Sequence, residues 1–337
     1  MQTQTIIADH DRQFTWHNYN LSQTKEKALF VNILGDLCNL LEEPEHNSVG
    51  RKPTKTRDII FAMAIKQYLN LSSRRLQSDL KLFKEAGFID SEIPFNTLLD
   101  HFERPELKEI LKGLIEVSAL PLKQIERDFA IDSTCFGTSR YTTYFDVRWK
   151  NKKIIKGKLW RKCHAVCGVK TNVITSIDIT KGNVHDNKLF EPLAKDTARN
   201  FTIREFSADK AYLAGKNFAL IKDLGGQAFI PFKSNTTASS HSPSKYRNYF
   251  KQANKFFKEH KEEYLDRYHK RSNIESTFSM IKRRFGNNVK CKKETSQDNE
   301  ILAKVLAHNI CVLVQEIFLN KIDVDFNRIS KCYVARN

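Results

Sequence analysis

Lys162–Thr180, KCHAVCGVKTNVITSIDIT, is the stretch on which the fold class turns. Two runs, KCHAVCGV and VITSIDIT, are rich in β-branched residues. KTN between them carries a turn signal, so the pair predicts a β-hairpin. Upstream, RDFAIDST (127–134) predicts a short strand ending in a carboxylate. Downstream, DNKLFEPLAKDTA (186–198) has a helical period, and IREFSAD (203–209) is a strand ending in Asp209. GKNFALIKDLG (215–225) is a second helix and GQAFIPF (226–232) a fifth strand. Three antiparallel strands followed by strand–helix alternation predict an α/β fold. Its mixed five-stranded sheet is flanked by helices.

Residues 1–120 read as helical. KEKALFVNILGDLCNLLEE (25–43), DIIFAMAIKQYLN (58–70), SSRRLQSDLKLFKEAGF (72–88) and PFNTLLDHFERPELKEILKGLIEV (94–117) space their apolar residues at helical intervals. Tight polar joints between them fit a helix-turn-helix-like module and a plain helical bundle equally well. SVGRKPTKTR (48–57) is a basic linker. SNTTASSHSPS (234–244) predicts a flexible polar loop, and DNEILAKVLAHNICVLVQEIF (298–318) a last, mostly apolar helix.

The chain has 337 residues, 40% of them hydrophobic, and a formal net charge of +17. The charge is uneven. Residues 140–170 hold ten Lys/Arg against one Asp, and residues 233–293 hold sixteen against five Asp/Glu. Aromatics lie between the cations, which points to a polyanion, nucleic acid above all. The seven cysteines are scattered, with Cys163 and Cys167 the one close pair, so no zinc motif forms. Reduced thiols suit a cytoplasmic protein. The first residues lack the apolar core of a signal peptide, and no run of about 18 apolar residues argues for a membrane span.

Asp132 and Asp209 end strands whose carboxyl ends share one rim of an open sheet, where active sites gather. YHKRSNIESTFSMIK (268–282) can bring a third acid, Glu275, across that rim. On one helical wheel Tyr268, Arg271, Glu275 and Lys282 fall within about 60°. Ile274, Phe278, Ile281 and Phe285 form the neighbouring anchoring stripe. Three converging carboxylates repel unless a cation neutralises them. Hard oxygen donors select magnesium or manganese, and two such ions suit phosphodiester chemistry. Arg271 and Lys282 beside the acid suit phosphate. Asp178 and Asp186 are the competing acids. Alternation could turn Asp178 away from the rim, and Asp186 opens a helix as an expected N-cap.

The pattern Tyr268-x2-Arg271-x3-Glu275-x6-Lys282 resembles the YREK signature of insertion-sequence transposases of the DDE class. AIDST around Asp132 and SADKAY around Asp209 look like that family's two acidic segments. The run through GNVHD (182–186) is similar to its strand-turn-strand region, and residues 50–80 to its helical leader. The resemblance implies an RNase H-like catalytic domain over 121–320, a DNA-end-binding leader over 1–120 and a tail over 321–337. It implies Asp132, Asp209 and Glu275 as catalytic metal ligands for two Mg2+ or Mn2+ ions. Tyr268, Arg271 and Lys282 would hold transposon-end DNA. Arg51, Lys52, Lys55 and Arg57 would form a basic DNA-binding arm. The implied partners are transposon ends, target DNA and further copies of the chain in a synaptic complex. The expected location is the cytoplasm of a prokaryote, at the nucleoid.

Some relatives carry a long β-rich insertion before the third acid, with a Trp that stacks a flipped base during hairpin formation. Here about thirty residues without Trp fill that place, because the three tryptophans are Trp16, Trp149 and Trp160. Tyr246, Tyr249 or Phe250 are the substitutes on offer. Two other readings stay open: a related endonuclease without strand transfer, and a transposase-derived DNA-binding protein that has lost catalysis.

Overall fold

The computed structural model describes residues 15–43, 53–146, 153–232, 236 and 244–326, with backbone alone for 139–146 and 153–158. Five helices lead. α1 (Trp16–Cys38) starts at Thr15, whose hydroxyl accepts from the Asn18 amide. α2 (Thr56–Leu69) is apolar on all sides, with Ile59 through Ile65 fully buried, and it ends on Asn70 in the left-handed region. α3 (Ser73–Glu85) is capped by the Ser72 hydroxyl. The stretch 94–117 forms two helices, α4 (Phe95–Phe102) and α5 (Glu106–Ala119). Pro105 divides them, since it donates no amide hydrogen bond and disfavours helical backbone at Arg104.

The sheet contains β1 (Asp128–Asp146), β2 (Lys153–Gly168), β3 (Ile174–Lys181), β4 (Glu205–Ala208) and β5 (Gln227–Phe229). Its order is β3-β2-β1-β4-β5. β1–β2 and β2–β3 are antiparallel, while β1–β4 and β4–β5 are parallel. All five expected strands are present in the mixed sheet of an RNase H-like fold. One expectation needs correcting: β1 does not end at Asp132. It runs on to Asp146, paired with β2 and with a register break between Gly137 and Tyr141. The rim exists because β4 stops. Ile131 opposes Ala208, the last residue of β4, so Asp132 is the first β1 residue past the parallel ladder.

α6 (Asn187–Asn200) and α7 (Gly215–Asp223) are the expected crossover helices. α8 (Arg247–Glu259) packs an aromatic face of Phe250, Phe256 and Phe257 around Phe218, Phe232 and Tyr264. α9 (Lys261–His269), α10 (Ser272–Phe285) and α11 (Glu294–Leu319) are the last helices among the described residues. The predicted polar loop lies almost wholly outside the described residues.

α11 has the length and hydropathy of a membrane span, but 83% of its most apolar window is buried inside this fold. It packs against α1, α2 and α5 as well as β3. Among the described residues one hydrophobic cluster therefore runs from the leading helices into the sheet, with no gap near residue 120. Polar groups pin the joints. Asn309 of α11 accepts from the Ile174 amide at 2.9 Å and donates to the Ile174 carbonyl at 2.8 Å and Ser118 Oγ at 3.0 Å. His308 Nε2 lies 2.9 Å from the Asn172 carbonyl in the β2–β3 turn.

Candidate active site

Sheet alternation places Asp128, Asp132 and Thr134 on one face of β1, and Glu205 and Asp209 on the same face at β4. α9 and α10 cross that face, and here the single helix expected over 268–282 is replaced by two. The break falls at Lys270–Arg271. The amides of Arg271, Asn273 and Ile274 bond three residues back, a tightened turn. Its consequence is that two consecutive cations reach opposite ways along the strands. Lys270 lies 2.9 Å from Asp128 Oδ2 and 2.6 Å from Glu205 Oε2. Arg271 donates to Asp132 Oδ2 at 2.7 Å and pairs with Glu275 Oε1 at 2.8 Å.

The Lys270 end is rich in positive charge. Arg204 pairs with Asp128 at 2.8 Å and Arg267 with Glu205 at 3.0 Å. The Arg271 end is not. There a single guanidinium faces Asp132, Asp209 and Glu275. Burial holds the Asp132 carboxyl above the usual carboxylate range and Asp209 adds repulsion, although the Ser133 amide and Arg271 act against the shift. Asp209 follows β4 and accepts from the Lys210 amide at 2.6 Å. Glu275 opens the first turn of α10 and is 57% exposed. Tyr268, at the end of α9, lies beside Arg271, and burial raises its phenol pKa.

Lys282 sits further along β1. Its ammonium donates to Thr134 Oγ1 at 2.6 Å and lies 5.5 Å from the Phe136 ring centre. The expected apolar stripe of α10 is buried throughout: Ile274, Phe278, Ile281 and Phe285. Gly286, at φ +87°, ends the helix, and the next residues dock on β1. The Gly137 amide donates to the Asn287 carbonyl at 3.1 Å, and the Val289 amide to the Gly137 carbonyl at 2.9 Å. Under this loop, Lys304 of α11 donates to the Gly286 and Asn288 carbonyls, while Glu300 accepts from the Lys290 and Cys291 amides.

Asp186 departs from its expected role. It precedes α6 but makes no side-chain cap bond, and its carboxylate turns inward. Lys162 Nζ lies 2.8 Å and His164 Nδ1 3.2 Å from Asp186 Oδ1, and the Ser133 hydroxyl reaches it as well. This group sits behind Asp132, and the buried Tyr212 feels the charges of Asp132, Asp186 and Asp209. Asp178 pairs at 3.4 Å with Lys108 of α5, on the edge strand. Phe250 is 5% exposed and locked in the aromatic cluster, so it offers no base a stacking surface. Arg57 and Lys55 are not a free arm: both pair with Asp90, at 2.6 and 2.5 Å, at the start of α2. Arg51 and Lys52 lie outside the described residues.

A family model described as transposase DDE domain matches residues 123–310. The chain belongs to that family. The match takes in β1 and α10, which carry Asp132 and Glu275, and the turn after β4, which carries Asp209. Two solved structures are similar at low level. One is a cryo-EM structure of a piggyBac transposase synaptic complex with hairpin DNA. It has 11% identity and a TM-score of 0.39, over 98% of this chain and 81% of that one. The other is a Drosophila P element transposase strand transfer complex. It has 11% identity and a TM-score of 0.27, over 89% of this chain and 87% of that one. No curated protein gives a match.

Sequence reasoning missed Lys270 and the residues gathered around Asp186, namely Lys162, His164 and Tyr212. Lys270 adjoins the four-residue pattern but stands outside it. His185–Asp186 was visible in GNVHD, yet its position before a helix favoured a capping role.

Proposed function

We propose that this chain is a transposase that cleaves DNA at the terminal inverted repeats of an insertion sequence and joins the freed 3′ ends to target DNA. The observation that carries the reading is the shared rim: Asp132 and Asp209 on neighbouring parallel strands, with Glu275 tied to Asp132 through Arg271.

The donor set suits hard divalent ions. It consists of carboxylate oxygens, partly desolvated and short of positive charge. Among the described residues no three acidic, His or Cys side chains converge closely enough to hold an ion as they stand, with Arg271 between two of them. Two Mg2+ or Mn2+ ions held by Asp132, Asp209 and Glu275 would activate the attacking hydroxyl and neutralise the leaving oxygen of a phosphodiester. The chain's own residues hold the DNA. Lys282 presents a point charge along β1 next to the acids, and Tyr268 offers a phenol donor beside Arg271. Tyr268 is a positioning group here, not a covalent nucleophile.

Cations elsewhere support a DNA partner. On α8, Arg247, Lys251, Lys255 and Lys258 are all exposed, within about 80° of one another on the helical wheel. The first three are spaced by about 6 Å of helix rise, opposite the buried aromatic face. Such a row suits the phosphates of a DNA strand. The leader, including Arg51, Lys52 and Arg57, is the proposed transposon-end contact. The active form is proposed as a homo-oligomer at two DNA ends, in the cytoplasm at the nucleoid.

A strand-transfer assay tests the reading. Pre-cleaved duplexes ending in the element's terminal repeat are incubated with the full chain, Mg2+ and a target plasmid. Joined products without covalent protein–DNA adducts are expected. Nicking without joining would demote the protein to an endonuclease. An adduct lost in Tyr268→Phe would replace the carboxylate chemistry with tyrosine chemistry.

A further inference from the structure

Arg271 occupies an unusual place for a DNA-binding side chain. Its guanidinium is turned in to the acids and is 17% exposed. It reaches Asp132 Oδ2 and Glu275 Oε1, at 2.7 and 2.8 Å, and its Nε is buried without an acceptor. Lys270 does the equivalent at the other end of the same two strands, where Arg204 and Arg267 help to neutralise Asp128 and Glu205. At the Asp132 end three carboxylates, Asp132, Asp209 and Glu275, act on the one guanidinium of Arg271. A site so short of positive charge draws in the nearest cation, and here that is a side chain.

We propose that Arg271 is an internal counter-ion. It fills the divalent-ion site of the DNA-free chain, and metal binding expels it towards the DNA phosphates. The inference rests on the reading of Asp132, Asp209 and Glu275 as metal ligands. A divalent ion held by Asp132 and Glu275 would compete with the guanidinium that now pairs with both carboxylates. Arg271 would have to give up its charge-assisted hydrogen bonds before these carboxylates could hold a metal ion, so weak metal binding by the DNA-free chain is expected. The expelled guanidinium then grips phosphate. Coupling of this kind is reciprocal: a phosphate that captures Arg271 strengthens metal binding by the factor with which metal strengthens DNA binding. The backbone suits the swap. Arg271 stands at the break between α9 and α10, while Lys270 stays tied to two acids and keeps the start of α10 in place. Metal-loaded, reactive protein would thus accumulate only where DNA is already bound.

Mn2+ binding to the full-length chain without DNA, followed by the electron paramagnetic resonance of free Mn2+, tests this. Arg271→Gln should bind Mn2+ about tenfold more tightly than the unaltered chain, the effect of losing roughly one charge-assisted hydrogen bond to the competitor. Arg271→Lys, which keeps the charge but not the fork, should fall between them, and it decides the matter if Arg271→Gln does not fold. A short mixed-sequence duplex should tighten Mn2+ binding to the unaltered chain and have little effect on Arg271→Gln. Equal or weaker Mn2+ binding by both variants overturns the counter-ion role, while the metal ligands stand. If the unaltered chain binds no more Mn2+ than Asp132→Asn, with or without DNA, the ligand assignment itself fails and the counter-ion role falls with it.

Discussion

At position 132 burial and charge pull against each other. The carboxyl is partly desolvated and faces Asp209, which favours its neutral form, yet Arg271 and the Ser133 amide favour the ion. The groups that set this tension were partly legible in advance. The spacing of Tyr268, Arg271, Glu275 and Lys282 named the side chains that gather at the rim. It could not show that Arg271 would turn towards the acids, because side-chain direction depends on the break at Lys270. Nor could it show Asp186 turning inward to Lys162 and His164, contacts made across β2. A different residue gives a clean pH prediction. His308 is buried, and burial lowers its pKa to about 4 from 6.5. The fold therefore holds it neutral, while the unfolded chain takes up a proton below about pH 6.5. Its contribution is complete above that value and is lost as pH falls towards 4, by up to about 3 kcal/mol. Urea unfolding at about pH 7.5 and about pH 5 should show a smaller pH-dependent loss in His308→Gln than in the unaltered chain. Equal losses would remove His308 from the acid response.

Among the elements, α10 bears the heaviest positional demand, because Glu275 must reach a rim formed by β1 and β4. Its apolar face was readable from periodicity alone. Its C-terminal anchorage was not, since the anchor comes from α11. Lys304 and Glu300, both 1% exposed, form a buried i,i+4 pair that also satisfies the backbone of residues 286–291. Lys304→Met would leave the buried Glu300 charge without its partner. The expected loss is about 3–5 kcal/mol of folding stability in a denaturant titration. A loss below about 1 kcal/mol would mean that the pair does not secure the loop. α8 has a different task. Replacing Arg247, Lys251, Lys255 and Lys258 with Gln should flatten the dependence of log affinity for duplex DNA on log salt concentration. Each lost phosphate contact removes about 0.9 from the slope, so the change should reach about 3–4. An unchanged slope would mean that this face is merely solvated.

Over the whole molecule, the succession of strands and crossover helices along the chain came through from sequence because each is a local pattern. The length of the β1–β2 hairpin did not. Residues 141–146 and 153–158 extend the ladder by pairing with each other, a contact that no local pattern announces. The division near residue 120 also looks different in three dimensions. α11 packs against α1, α2 and α5 as well as β3, so one hydrophobic cluster joins the leading helices to the sheet, and under the proposed function DNA held by the leader would lie on the same packed unit as the acids. That continuity matters if end binding and phosphodiester cleavage are to stay in register. The central claim is that Asp132, Asp209 and Glu275 form one metal-dependent cleavage site. It is tested most directly by Mg2+-dependent nicking of a terminal-repeat duplex by the full chain and by Asp132→Ala, Asp209→Ala and Glu275→Ala, with DNA binding measured alongside. All three variants should bind DNA near normally and lose cleavage, and any double variant should be no worse than the singles, because one shared site is lost each time. Substantial Mg2+-dependent cleavage by any one of the three would contradict the assignment of that residue to the site.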